Sequence, residues 1–229
     1  MTGSTTLPDY ERPPVIEVAL SVEFAPLPKM STAYAGLFWQ QIRDAYPQTE
    51  DHPPLQSAIE NEQPSFGRPE VQFELMDRPP VPRIWFLTST GNQLYQVQPD
   101  RFTHNWRRVA EKDVYPRYES VKRAFEDGLR RFMRFVEDQG WGALRLKQCE
   151  VTYVNHIHAG EGWQGHGDVD RVMKVWRSGI ETAFLPRPED VRFAARYGIK
   201  DAADKFRGRL SVQLQPAFVR SQAWPSRRL

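Results

Sequence analysis

Within residues 15–24 every second position from Ile16 onward is a large hydrophobic residue. Ile16, Val18, Leu20, Val22 and Phe24 fall on one side, and Glu17, Ala19, Ser21 and Glu23 on the other. A period of two predicts a strand with one buried face. Pro26 and Pro28 end it. Ser31 or Thr32 can then cap a helix that carries Tyr34, Leu37, Phe38 and Ile42 at helical spacing and stops at Tyr46-Pro47. Residues 48–69 are polar and proline-rich and read as a surface connection. Strand-like stretches follow at 71–76, 83–88 and 93–98, with turns at 78–82 and 89–92 short enough to make them antiparallel neighbours. The third stretch is expected to run on past Pro99, with a bulge or a sheet edge there. In 101–107, Phe102, His104 and Trp106 alternate with Arg101, Thr103, Asn105 and Arg107.

The strongest helical pattern is 118–139, with Tyr118, Val121, Phe125, Leu129, Phe132 and Val136 as its apolar stripe. Pro116 suits its start and Gly140 its end. Such a helix is roughly 33 Å long, enough to cross a sheet. Residues 143–158 read as another strand. Cys149, Val151, Tyr153 and Ile157 share one face, and Glu150, Thr152, Val154, His156 and His158 the other. Cys149 is expected to be a buried, inert thiol. A glycine-rich loop, 160–167, leads to a short helix with Asp168 as cap and Val169, Val172, Met173 and Trp176 as stripe. Residues 191–197 and 210–218 are the last expected strands, and 221–229 carry no recognisable element.

The order strand, helix, strands, long helix begins again at residue 143. Ile16-Glu17-Val18 aligns with Cys149-Glu150-Val151. The expected fold is therefore α+β, with antiparallel sheets, helices packed on one face, and pseudo-duplicated lobes. The expected parts are a flexible arm (1–14), a first lobe (15–142), a second, shortened lobe (143–219) and a tail (220–229). The second lobe has no counterpart of the long helix, which leaves room for a partner or a second copy to cover it.

Composition narrows the class. The 229 residues are 40% hydrophobic and 26% charged, with a mean hydropathy of −0.63, as in a globular protein. One cysteine excludes a disulfide framework or a Cys-rich zinc site. No apolar run approaches the ~18 residues of a membrane span, and the polar start lacks a secretory core. The expected location is the cytoplasm, away from membranes. A formal charge of +2 does not by itself argue for nucleic acid.

Four segments carry a family resemblance. They are Pro13-Pro14-Val15-Ile16-Glu17; Gln96-Val97-Gln98-Pro99-Asp100-Arg101-Phe102 with Asn105-Trp106-Arg107; Tyr115-Pro116-Arg117-Tyr118-Glu119; and Glu150-Val151-Thr152-Tyr153-Val154-Asn155-His156-Ile157. In order and spacing the chain resembles a sporadically distributed bacterial family of uncharacterised two-lobed α+β proteins. The resemblance implies the two-part fold and no catalytic residues. It also implies a further strand and a terminal helix after the last strand, a pattern from which 220–229 departs. The sporadic distribution implies an accessory role in defence or in a toxin–antitoxin system.

Candidate chemistry is sparse. Gly160-Glu161-Gly162-Trp163-Gln164-Gly165 spells a dinucleotide fingerprint. However, Gly167 and Asp168 postpone the helix, so its amides cannot meet a pyrophosphate, and an acidic cap repels one. An ordinary loop is expected, with no cofactor. His156 and His158, with His166, are weak metal candidates, and the first two could also serve a hydrolase or nuclease as acid and base. The polar strand face Arg101-Thr103-Asn105-Arg107 is more informative, because guanidinium forks recognise carboxylates and phosphates. Glu17 and Glu150 are expected to pair with these arginines. The leading expectation is a non-enzymatic binding module with a polar site of Arg101, Asn105, Arg107, Glu150, Asn155 and His156. Its expected partner is a protein, with nucleic acid as the alternative. The competing expectations are the histidine-dependent hydrolase and a protein that holds a small molecule between the long helix and the sheet.

Overall fold

The computed structural model describes residues 10–62, 80–175, 184 and 187–218. The expected strand at 71–76, Trp176 and the tail lie outside them. The elements are β1 (Val15–Phe24), α1 (Thr32–Gln40), β2 (Gln48–His52), β3 (Arg83–Leu87), β4 (Gln93–Gln98), β5 (Arg101–Arg107), α2 (Tyr118–Asp138), β6 (Leu146–Asn155), α3 (Val169–Val172), β7 (Phe193–Lys200) and β8 (Phe206–Leu214). Two compact units contain them. The first holds Met1–Ile59 and Ser65–His156, and the second Glu60–Pro64 and Ile157–Leu229.

The first unit is an antiparallel six-stranded sheet in the order β2-β3-β4-β5-β1-β6, with α1 and α2 on one face. This is the expected α+β class. The core forms where the apolar face of the sheet meets both helices. Phe24, Phe86, Tyr95, Val97 and Phe102 of the sheet pack against Phe38 of α1 and Phe132, Phe135 and Val136 of α2. Phe132 is fully buried, with ring centroids 5.9 Å from Phe24, 5.3 Å from Phe38 and 5.5 Å from Phe102. These rings fill the space in which a small-molecule cavity was expected. Among the described residues an open hollow of about 380 Å³ lies by Pro26, Leu27, Trp141, Leu144 and Arg145.

Two close approaches fix α2 on the sheet. Gly128 lies against Tyr95, and a Cβ there would run into the phenol ring. The Tyr95 hydroxyl donates to the Ala124 carbonyl at 3.1 Å. At the C-terminal end, Gly140 takes φ 69°. Its N–H donates to Glu137 O (2.8 Å), and Trp141 N–H to Val136 O (3.2 Å), the paired bonds of a Schellman cap. The glycine stop read from the sequence is therefore built as a left-handed cap.

Several expectations are corrected. Gln48–His52 is a strand, not loop. It pairs with β3 at the sheet edge, mostly exposed, where backbone bonds need no apolar side chains. Pro99 marks neither a bulge nor a continuation. Gln98 pairs with Arg101, so Pro99-Asp100 is the tip of a hairpin between β4 and β5. A register shift between Val15 and Glu17 puts Val15, rather than Ile16, into the core with Val18 and Leu20. The strand expected to open the second lobe, β6, instead pairs with β1 along its length. It ends at Asn155, so His156 and His158 lie beyond it.

The second unit is built around the β7–β8 hairpin. Its turn is organised by Asp201, whose Oδ1 accepts from the N–H groups of Ala203 and Lys205, both at 3.0 Å, and whose Oδ2 takes Arg207 at 2.7 Å. These bonds hold the Asp201 carboxyl below its ordinary range. Glu60 accepts from Arg209 at 2.8 Å, which attaches 60–62 to the hairpin.

Candidate functional site

The face of the sheet away from the helices carries the expected polar site. Register places Glu17, Ser21 and Glu23 of β1 beside Arg107, Thr103 and Arg101 of β5, and Gln96 and Gln98 of β4 beside Thr103 and Arg101. Glu23, Gln96, Gln98, Thr103 and Asn105 are all buried. Buried polar groups must be partnered, and the cover on one side is the segment 55–58. Leu55 N–H donates to Gln98 Oε1 (3.0 Å), and Gln98 Nε2 donates to Leu55 O (2.9 Å). The side-chain amide thus pairs with backbone as a neighbouring strand would. Ser57 Oγ donates to Glu23, and Arg101 Nη2 donates to Glu23 Oε2 at 2.8 Å.

Each predicted site residue can be placed. Arg101 is tied to Glu23 in a pair with little solvent exposure, and Glu150 stands 3.9 Å from its other terminal nitrogen. Asn105 donates to Glu17 Oε1 at 2.5 Å and accepts from Gln96 at 2.7 Å. Arg107 donates to Gly91 O at 2.8 Å and lies over the Trp85 ring. Glu17 therefore meets an amide rather than a guanidinium, and the carboxylate that grips Arg101 is Glu23. Glu150 accepts from Thr152 and is exposed. Asn155 ends β6, exposed, and His156 N–H donates to Pro14 O at 2.9 Å. The structure thus joins Arg101 to Glu150, ties Asn105 into a separate buried network, and leaves Asn155 and His156 at the strand end.

Sequence reasoning missed Trp85. His52 stacks on its ring at 3.8 Å, and Arg83 and Arg107 approach it at 5.4 and 5.5 Å. Burial, and then the charge of Arg101, lowers the pKa of Arg83. A tryptophan on the polar side of an otherwise alternating strand was the available signal.

The weak metal candidates do not assemble. Among the described residues no group of three or more His, Cys, Asp or Glu could hold an ion. His166 packs on Trp163 and bonds Ala217 O at 3.2 Å. The fingerprint-like loop closes on its own acid. Asp168 accepts from Gln164 and Gly165 N–H at 2.9 and 3.1 Å, and these bonds lower its pKa. Two of the loop amides are thus turned onto Asp168.

The sheet of the first unit has two edges, the polar β2 and the more apolar β6. One side of β6 is bonded to β1, and among the described residues no strand pairs with the other. Cys149, Val151 and Tyr153 sit opposite Val22, Leu20 and Val18, on the helix side of the sheet. Among the described residues no helix covers them. Val151 is 48% and Tyr153 43% exposed, and Cys149 is exposed rather than buried as expected. Tyr153 is the one of the three with a polar tether, its hydroxyl 3.3 Å from that of Tyr115. Among the described residues no helix is long and apolar enough to cross a membrane. No family model, curated protein or solved structure matches the chain.

Proposed function

We propose that this protein is a non-enzymatic binding module, that its partner is another protein, and that the partner docks at β6. One observation carries the reading. A ten-residue strand has an unpaired edge among the described residues and leaves Leu146, Val151, Tyr153 and Val154 from 37% to 51% exposed. Natural sheets blunt such edges with charge, proline or a cover, because an open row of N–H and C=O groups recruits another strand. Here Lys147 and Glu150 are the only charges in β6. Strand addition supplies main-chain bonds for affinity and alternate side chains for specificity. Self-contained bonding on the polar face supports the same reading, since Arg101 and Asn105 are engaged within the sheet. The proposed setting is the bacterial cytoplasm, in an accessory defence or toxin–antitoxin role, supported by the family resemblance.

The test uses the full chain as bait in a nuclease-treated bacterial lysate, beside Val151→Lys. Val151 is half exposed, so a lysine there should change stability by no more than about 0.5 kcal/mol. A protein retained by the parent chain and lost by the folded variant supports the reading. Equal retention by both, or retention of no protein, overturns it.

A further inference from the structure

The pairing of β1 with β6 is symmetric in a way that the sequence echo matches. The shift along the chain that takes Glu17 to Glu150 also takes Val18 to Val151 and Ala19 to Thr152. Ala19 and Thr152 are direct partners in the sheet. A two-fold axis through that pair exchanges the partners Glu17 and Val154 with Glu150 and Ser21, which are also partners. Sequence and register therefore describe one local two-fold relation, centred near the middle of both strands.

The same relation says what β6 lacks. The outer edge of β1 is paired with β5, and α2 lies over both strands. On the helix side β5 places Phe102, His104 and Trp106 beside Val22, Leu20 and Val18. On the polar side it answers Glu23 with Arg101 and Glu17 with Asn105. Applied to β6, the two-fold puts a strand on its outer edge and a helix over Cys149, Val151 and Tyr153. It also puts a basic or amide side chain opposite Glu150, the counterpart of Glu17. Among the described residues no strand pairs with that edge and no helix covers those three side chains, and Arg101 reaches Glu150 only from across β1, at 3.9 Å.

We infer that the partner of β6 is a strand–helix segment of the β5–α2 type. Its strand alternates apolar or aromatic residues with basic or amide ones, and an amphipathic helix follows. This rests on the proposed function and specifies its ligand. Strand pairing satisfies the open backbone edge, a cation opposite Glu150 supplies charge complementarity, and the helix removes the apolar face from water.

The probe is a synthetic peptide copying residues 99–139 of this chain, added to the full chain. The peptide contains no cysteine, so the thiol of Cys149 reports cover on the helix side. Hydrogen exchange of the β6 amides and alkylation of Cys149 should each slow at least about tenfold, as expected for groups sequestered in a complex. A peptide of residues 101–107 alone should slow the amides and leave the thiol reactive. Val151→Lys should abolish both effects. Equal shielding of the thiol by the short peptide overturns the helix half of the inference. No slowing with the long peptide overturns the inference as a whole, yet leaves the binding-module reading standing if the bait still loses its partner in Val151→Lys. Full protection of the β6 amides before any peptide is added means the edge is already filled, by the chain itself or a second copy, and also overturns it.

Discussion

β1 and β6 are neighbours, ten residues each, with echoing sequences. In β1 the residues from Leu20 to Phe24 are all buried, whereas almost all of β6 is exposed. Alternation decides which residues share a face, and the neighbours decide whether that face is dry. β1 lies between two strands and under α2, and on its polar side the segment 55–58 and Arg101 enclose even Glu23. Among the described residues β6 has a strand on one side only and no helix above it. The hydrophobic effect scales with area removed from water, so similar side chains contribute very differently in the two strands.

Deleting a ring from the covered side should have the largest effect. Phe132 touches rings from the sheet and α1, and Phe132→Ala should cost about 3–5 kcal/mol in denaturant unfolding. A cost below about 1 kcal/mol would mean that α2 does not seal the sheet.

The polar side sharpens the contrast through two glutamates. Glu23 is buried against Arg101 and Ser57, while Glu150 is half exposed with Arg101 at the limit of pairing distance. Glu23→Ala leaves a poorly solvated guanidinium and should cost about 3–5 kcal/mol. Glu150→Ala should stay within about 0.5 kcal/mol. Similar losses for the two would show that the segment 55–58 does not enclose the Glu23 site in solution.

His104 extends the comparison to pH. It sits on the covered side of β5 beside Tyr95, and burial lowers its pKa from 6.5 to about 4. The unfolded chain therefore binds a proton that the folded chain refuses. Stability is whole above about pH 6.5 and declines as pH falls towards 4, by on the order of 3 kcal/mol in all. Unfolding curves across that window should lose most of this slope in His104→Leu. An unchanged slope would show that the imidazole takes up its proton in the folded state.

These contrasts explain what could be read in advance. The period-two run of β1 and the stripe of α2 were legible because burial on one face leaves a periodic trace. β2 left none, since Gln48–His52 pairs through backbone at an edge with no apolar residue. Gly128 occupied the stripe between Phe125 and Phe132, but its role depends on Tyr95, 33 residues earlier in the chain and packed against it. The polar face of Arg101 and Asn105 was visible as a pattern. Its enclosure was not, because that depends on a cover from 55–58, where spacing encodes no partner. For Cys149 the pattern gave the face correctly, but among the described residues no helix covers that face at β6, and the thiol is exposed.

The smallest effect tests the exposed side directly. Val151 lies opposite Leu20 in the register, on the same face, yet only Leu20 is covered. Val151→Ala should change unfolding free energy by less than about 0.5 kcal/mol, because the valine already faces water in the folded state. Leu20→Ala, one strand away, should cost about 2–5 kcal/mol. A Val151→Ala loss approaching that of Leu20→Ala would mean that something already covers β6 in solution. The site proposed for a partner would then be occupied before any partner arrives.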